Sequence, residues 1–148
     1  MGSIDTITGS TVYLDTNVLI YAVESIPEFV GRVRDIFDRI DRGELQGVTS
    51  ELSLAEALIM PLRKGRDLIR NEFELLLDPS GPLMVKPITR QVLVKAAEIR
   101  AKYSSMKLPD AIHAATAVLN GCTSFITNDS RFAVVDTLPV VLLSQLPG

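Results

Sequence analysis

At 148 residues the chain has the length of one domain, and a domain of that size buries ~70% of its unfolded surface, enough for a core without disulfides or structural metals. Its 47% hydrophobic and 22% charged residues argue against disorder and coiled coil; one cysteine, Cys122, excludes an internal disulfide or a cysteine zinc site, and one histidine, His113, excludes two-histidine metal motifs. The formal net charge of −3, from 15 basic and 18 acidic side chains, speaks at first sight against a nucleic-acid partner.

No apolar run approaches the ~18 residues of a membrane span, and the first ten residues lack the basic and apolar regions of a signal peptide. Residues 1–10 read as a flexible tail and 11–148 as a single domain, with a cytoplasmic location expected. Gly2 and Thr6 fit a myristoylation pattern and Asn128-Asp129-Ser130 a glycosylation sequon; both patterns are short enough to arise by chance.

In chain order, Thr11-Val-Tyr-Leu14 is a first strand, closed by Asp15-Thr-Asn17, which can start a helix through Val18–Glu24. Phe29, Val33, Ile36, Phe37 and Ile40 mark an amphipathic helix ending near Gly43. Gln46–Thr49 is a short strand, followed by a helix from about Ser50 to Leu62 that Pro61 should bend or end. Leu68–Leu77 reads as helix, stopped by Asp78-Pro-Ser-Gly81, and Leu83–Pro87 as the third strand. Thr89 can cap a helix whose buried stripe is Val92, Ala96, Ile99 and Tyr103. Pro109 and Gly121 bracket the next helix, which is apolar nearly all round; strands follow at Ser124–Thr127 and Val140–Leu143. This alternation predicts an α/β domain, a three-layer α/β/α sandwich around a mostly parallel five-stranded sheet.

Sites in such folds form outside the carboxyl ends of the strands. Asp15 follows strand one there, Asp129 follows strand four, Asp110 opens the helix leading into strand four, and Glu56 lies on the helix after strand two. Each has an ordinary reading: Asp15 as a helix cap, Asp110 as a first-turn acid, Asp129 as part of an Asn-Asp-Ser turn. Glu56 falls between the directions of Leu52, Ile59 and Met60, on the apolar side of its helix, unless Ser53-Leu-Ala-Glu56 is a capping box. Converging carboxylates with few cations nearby, Arg131 alone following Asp129 closely, repel one another unless a divalent metal joins them. Oxygen ligands without His or Cys point to Mg²⁺ or Mn²⁺. His113, three residues after Asp110, reads as a core or supporting histidine rather than a general base, and Cys122 as a small buried hydrophobe.

Leu14-Asp-Thr-Asn-Val-Leu-Ile20, Ser53-Leu-Ala-Glu56, Leu108-Pro-Asp-Ala-Ile-His-Ala-Ala-Thr-Ala117 and Thr127-Asn-Asp-Ser-Arg-Phe132 resemble, in order and spacing, the four acidic motifs of PIN-domain ribonucleases, and the length resembles their single-domain VapC toxin branch. The resemblance runs from about Val12 to Leu143. It implies a metal site at Asp15, Glu56, Asp110 and Asp129, with Asp15, Asp110 and Asp129 holding one or two Mg²⁺ and Glu56 binding a metal or orienting water, and with the Thr127 hydroxyl in support. It further implies hydrolysis of RNA, tRNA-like RNA above all, to a 3′-hydroxyl and a 5′-phosphate. A homodimer and a cognate antitoxin whose C-terminal segment blocks the cleft are implied with it. The basic residue sometimes found beside that site has no assigned counterpart.

Two other readings stand beside this one. A catalytically silent RNA-binding or scaffold protein of the same fold would be expected to lack one of the acids. An aspartyl phosphatase using Asp15 as nucleophile would want a second aspartate where Asn17 stands. The net charge also hides a partition. Residues 61–107 hold 10 basic and 5 acidic side chains, whereas residues 1–60 hold 4 and 10. The basic run, including Arg63, Lys64, Arg66, Arg70, Arg90, Arg100, Lys102 and Lys107, reads either as solvated helix faces or as a phosphate-tracking surface.

Overall fold

The computed structural model describes residues 10–146. The myristoylation pattern and all but the last residue of the expected tail fall outside them; Ser10 belongs to the fold, its carbonyl accepting from the Gln46 N–H at 3.1 Å.

Five strands form one sheet: β1 (Thr11–Leu14), β2 (Gln46–Ser50), β3 (Met84–Lys86), β4 (Ser124–Thr127) and β5 (Val140–Leu142), in the order β3-β2-β1-β4-β5. Every pairing is parallel, including that of β4 with β5, so the sheet is wholly rather than mostly parallel. The helices are α1 (Thr16–Glu24), α2 (Val30–Asp41), α3 (Glu51–Lys64), α4 (Asp67–Leu76), α5 (Arg90–Lys102) and α6 (Leu108–Leu119).

Side-chain alternation along the strands builds two cores, one on each face. Val12, Leu14 and Ile126 pack against Val18 and Leu19 of α1, Val33, Ile36 and Ile40 of α2, and Leu77 at the end of α4. On the other face Tyr13, Val48 and Phe125 meet Val92, Ala96 and Ile99 of α5 and the alanines 111, 114, 115 and 117 of α6. The alanines explain why α6 reads as apolar all round: small side chains let it lie close against both the sheet and α5. Gly47 serves the same need in β2, because a Cβ there would stand 2.6 Å from Leu83 Cδ2 and 2.8 Å from Ile40 Cδ1.

Local signals place most boundaries. Thr89 caps α5 by accepting from the Val92 N–H at 3.2 Å, and Gly121, at φ 63°, turns the chain out of α6. The expected start of α3 near Ser50 holds, and its expected end changes. Its cap is Ser50, whose hydroxyl accepts from Leu52 N–H at 3.0 Å, so Ser53-Leu-Ala-Glu56 is no capping box and Ser53 lies buried inside the helix. Pro61 does not end the helix, which runs on to Lys64 and stops at Gly65, at φ 65°; a proline ring costs one helical hydrogen bond, and here it is packed inside the protein.

The order of strands puts a topological switch at β1. The chain steps outward through β2 and β3, then returns to β4 on the other side of β1. The crevice at the carboxyl ends of β1 and β4 is where such a sheet leaves room for a site.

Candidate active site

Asp15 follows β1 directly and caps α1. Its Oδ1 accepts the Thr16 N–H at 2.9 Å, and its Oδ2 accepts the Thr127 hydroxyl at 2.7 Å. The side chain is only 6% exposed. Burial therefore raises its pKa above the usual carboxylate value, and the His113 ring and the Thr127 and Thr16 hydrogen bonds oppose the rise without cancelling it. The helix-cap reading of Asp15 is correct and does not compete with the functional one, since one carboxylate does both.

Glu56 reaches the same edge from α3. Its Oε1 accepts the Thr16 hydroxyl at 2.7 Å and lies 2.6 Å from His113 Nε2. Burial pushes its pKa up, but the hydrogen bond and charge of His113 and the bond from Thr16 outweigh burial and hold it below the ordinary value. The apolar stripe expected around it is different in fact: Ile59 and Met60 are exposed, and the buried line of α3 is Ser53, Ala57 and Pro61. Glu56 thus lies at the border between that line and solvent.

Behind Glu56 lies a buried network. His113 is 1% exposed, and its Nδ1 sits 2.6 Å from the Tyr13 hydroxyl. Burial first, then the nearby Asp15 charge, raise the Tyr13 pKa well above its ordinary value, so the phenol keeps its hydrogen. An ionised Glu56 carboxylate can only accept, so Nε2 carries a hydrogen and donates to it, while the phenol and Nδ1 share the hydrogen bond on the other side of the ring. The Thr16 hydroxyl also lies 3.1 Å from Ser53 Oγ, which pairs with Thr49 Oγ1 at 2.8 Å, and Thr49 donates to the Leu14 carbonyl at 2.9 Å. The reading of His113 as a supporting core residue fits this geometry.

Asp110 and Asp129 form the outer half. Asp110, in the first turn of α6, is partly buried; burial raises its pKa, Asp129 and Glu56 add to the rise, and Arg131 opposes it. Asp129 caps a 3-10 turn, Ser130–Val134, and its own N–H donates to Thr127 Oγ1 at 3.0 Å. Arg131 lies across both acids: Nε is 3.0 Å from each Asp129 oxygen, and Nη2 bonds Asp129 Oδ2 and comes within 3.8 Å of Asp110 Oδ2. Its hydrogen bonds hold the Asp129 carboxyl below the usual range. The charges of Glu56 and His113 act on both Asp15 and Asp110, and Asp129 acts on Asp110, so the four acids and Arg131 form one electrostatic cluster from four elements.

The structure therefore brings together Asp15, Glu56, Asp110, Asp129 and Thr127 at one sheet edge. Sequence reasoning gives Tyr13, Thr16, Ser53 and Thr49 no part in holding the acids, and leaves the basic residue beside the site unassigned although Arg131 is in view. Ser53 carried a usable signal, since three residues before Glu56 on a helix puts it on the same side. Thr16 and Tyr13 flank Asp15, but their contacts run 40 and 100 residues along the chain, beyond any local pattern. Cys122 is partly buried and its thiol is pushed up to about 11 by that burial, which leaves it inert at neutral pH. The basic run is exposed but not one strip, because α4 joins one core and α5 the other.

The PIN domain family model matches residues 12–138. No curated protein matches the sequence. Among solved structures the chain is similar in fold to VapBC2 from Rickettsia felis bound to a DNA fragment from its promoter, with TM-score 0.72 and 16% identity over 89% of this chain and 98% of that one. It is similar to VapC20 from Mycobacterium tuberculosis, a sarcin-ricin loop cleaving toxin, with TM-score 0.69 and 16% identity over 87% and 98%. A toxin-antitoxin complex from Klebsiella pneumoniae aligns with TM-score 0.68 and 20% identity over 89% and 97%. With the motifs in order, the acids gathered at the switch point and the family model spanning most of its length, the chain belongs to the PIN-domain family.

Proposed function

We propose that the chain is a divalent-metal-dependent endoribonuclease of the VapC toxin kind, with Asp15, Glu56, Asp110 and Asp129 as its catalytic and metal-binding residues and Thr127 as their support. The observation that carries this reading is the gathering of four carboxylates from separate elements at the carboxyl edge of β1 and β4. Family membership supports a nuclease, and the likeness in fold to a toxin that cleaves the sarcin-ricin loop supports RNA as substrate.

The donor set fits a hard cation, Mg²⁺ or Mn²⁺: it offers only oxygens, while the histidine is buried behind Glu56 and the cysteine lies elsewhere. Asp15 is buried without a hydrogen bond from any Lys or Arg among the described residues, and next to it the Asn17 side-chain oxygen is buried without a partner. As they stand, no three such side chains among the described residues are arranged to hold an ion; Arg131 engages the outer pair instead. Asp15, Asp110 and Asp129 would hold the cation. When bound, it supplies positive charge that acidifies a water molecule and offsets charge building on the phosphodiester.

The remaining work falls to the chain itself. Thr16 N–H and the Thr127 hydroxyl fix both oxygens of Asp15. His113 and Thr16 fix Glu56 through Oε1 alone, leaving Oε2 without a protein donor among the described residues. Because Glu56 is held as an anion, Oε2 is the atom that takes the proton of the attacking water. A phosphatase using Asp15 as nucleophile is disfavoured, since both its oxygens are engaged and the side chain is buried.

The reading extends to a tRNA-like substrate, a homodimer, a cytoplasmic location and a cognate antitoxin. Related folds crystallised as toxin-antitoxin complexes support the last of these. The test is labelled RNA incubated with the chain in Mg²⁺ and in EDTA, beside Asp15→Asn and Asp110→Asn. Cleavage by the wild type in Mg²⁺ only is expected; equal cleavage by all three proteins would sink the assignment. RNA binding without cleavage under any condition would favour the silent scaffold.

A further inference from the structure

Arg131 is the single lysine or arginine of the last 41 residues, and it lies on the acidic cluster. Its position is set by a very short stretch of chain. Asp129 Oδ1 accepts the Arg131 backbone N–H at 3.0 Å, and Phe132, 1% exposed, anchors the same turn in the core. The guanidinium then folds back with its fork on Asp129 and one nitrogen toward Asp110. Guanidinium is permanently charged, planar and bidentate, so at any working pH it meets both demands of this carboxylate pair: opposite charge and directed donors. The side chain is 60% exposed, so it can leave for water without opening a cavity.

We infer that Arg131 is a built-in competitor for the divalent cation, closing Asp129 and bridging toward Asp110 until an ion displaces it, and thereby setting how much cation the enzyme requires. This rests on the metal-dependent reading above. Two positive groups cannot share the Asp129 carboxylate at contact distance without repulsion. The ion must therefore replace hydrogen bonds already made, and its apparent affinity is lowered by the fraction of molecules with the fork closed.

The experiment is titration of the full chain with Mn²⁺ in the absence of RNA, read by calorimetry or by the signal of unbound Mn²⁺, for wild type, Arg131→Met and Arg131→Lys. Arg131→Met is expected to bind Mn²⁺ about tenfold more tightly or better, the scale of one charge-assisted hydrogen bond no longer broken. Arg131→Lys keeps the charge and loses the fork, and is expected to fall between the two. Thermal unfolding of all three checks that the fold is retained. Equal or weaker binding by Arg131→Met, or Arg131→Lys identical to wild type, overturns the inference. If those outcomes occur while wild-type RNA cleavage still needs Mg²⁺, the metal-dependent reading stands and only the role of Arg131 falls. If none of the three proteins binds Mn²⁺, both fall together.

Discussion

The two halves of the carboxylate cluster are built on opposite principles. Asp15 is buried, and Glu56, itself partly exposed, is tied to buried groups: the partners of the two are the hydroxyls of Thr16 and Thr127, the Thr16 N–H and the buried His113 ring. Asp110 and Asp129 belong to the rim, where the partner is one largely exposed guanidinium. An interior hydrogen-bond network is rigid because any unmade bond leaves a desolvated polar group, whereas a rim ion pair exchanges readily with water and ions. The comparison teaches that orientation is fixed on one side of the site and exchangeable charge is kept on the other. Each half can be broken separately.

The largest effect is expected at the buried acid. Asp15→Asn keeps a competent helix cap but removes a charge from the reacting centre; RNA cleavage should fall on the order of 10³-fold, equivalent to about 4 kcal/mol of transition-state stabilisation. Stability should move the other way. Burial raises the folded-state pKa of Asp15, so between the ordinary carboxylate value and that raised value the native state binds more protons than the unfolded state. Wild-type stability from this group is therefore lost as pH rises through the window. The advantage of Asp15→Asn in urea denaturation should be small below the window and fully developed at neutral pH. An advantage that shrinks as pH rises contradicts the buried-charge account. Glu56, with its pKa lowered, contributes in the opposite sense, and its share is lost as pH falls through its folded value.

The next break is His113→Ala. It leaves a cavity and strips the Tyr13 hydroxyl and Glu56 of a buried partner, so unfolding should be easier by about 2–4 kcal/mol. Cleavage by the folded fraction should drop about 10–100-fold because Glu56 is no longer aimed. At the rim, by contrast, Arg131→Met should move the denaturation midpoint only slightly, because a largely exposed ion pair contributes little to stability. Equal destabilisation by the two substitutions would abolish the distinction between the halves.

Thr127 joins them, donating to Asp15 Oδ2 and accepting from the Asp129 N–H. Thr127→Val, close to isosteric, should cost about 1–2 kcal/mol and lower cleavage roughly tenfold. The measurement that checks it is a pair of curves, denaturation and RNA cleavage against Mg²⁺. A variant equal to wild type in both would mean that the hydroxyl bridges nothing of consequence.

What was legible beforehand divides along the same line. Asp15 and Asp129 were visible because strand ends and turns are local features, Thr127 entered only through the resemblance to the PIN-domain motifs, and α6 was visible because its own composition marks burial. The layered sheet followed from alternation of strands and helices alone. The start of α3 near Ser50 was legible, but Ser53 stayed open as a second cap because two serines three residues apart both suit a helix start, and only the end of β2 decides between them. Ile59 and Met60 were expected inside because periodicity identifies an apolar side without saying what covers it; here the packed line is one step round the helix. The role of Arg131 was illegible for a different reason, since a lone arginine after an Asn-Asp-Ser turn fits a solvated surface equally well until Asp110 arrives from another helix.

The smallest effect separates packing from proton placement. Tyr13 is fully buried, and its ring stacks on Phe125 with centroids 4.9 Å apart and planes 4° from parallel, an arrangement that Tyr13→Phe keeps. Only the hydroxyl is lost, leaving His113 Nδ1 buried without its hydrogen-bond partner. A loss of about 1 kcal/mol in stability is expected, the cost of one such bond. Cleavage should change by no more than a few-fold, because Nε2 still faces an ionised Glu56 and that carboxylate alone favours a hydrogen on Nε2. If cleavage by Tyr13→Phe falls as far as that of His113→Ala, the phenol rather than the carboxylate fixes the tautomer, and the orienting network of the interior half begins at β1 instead of at α3.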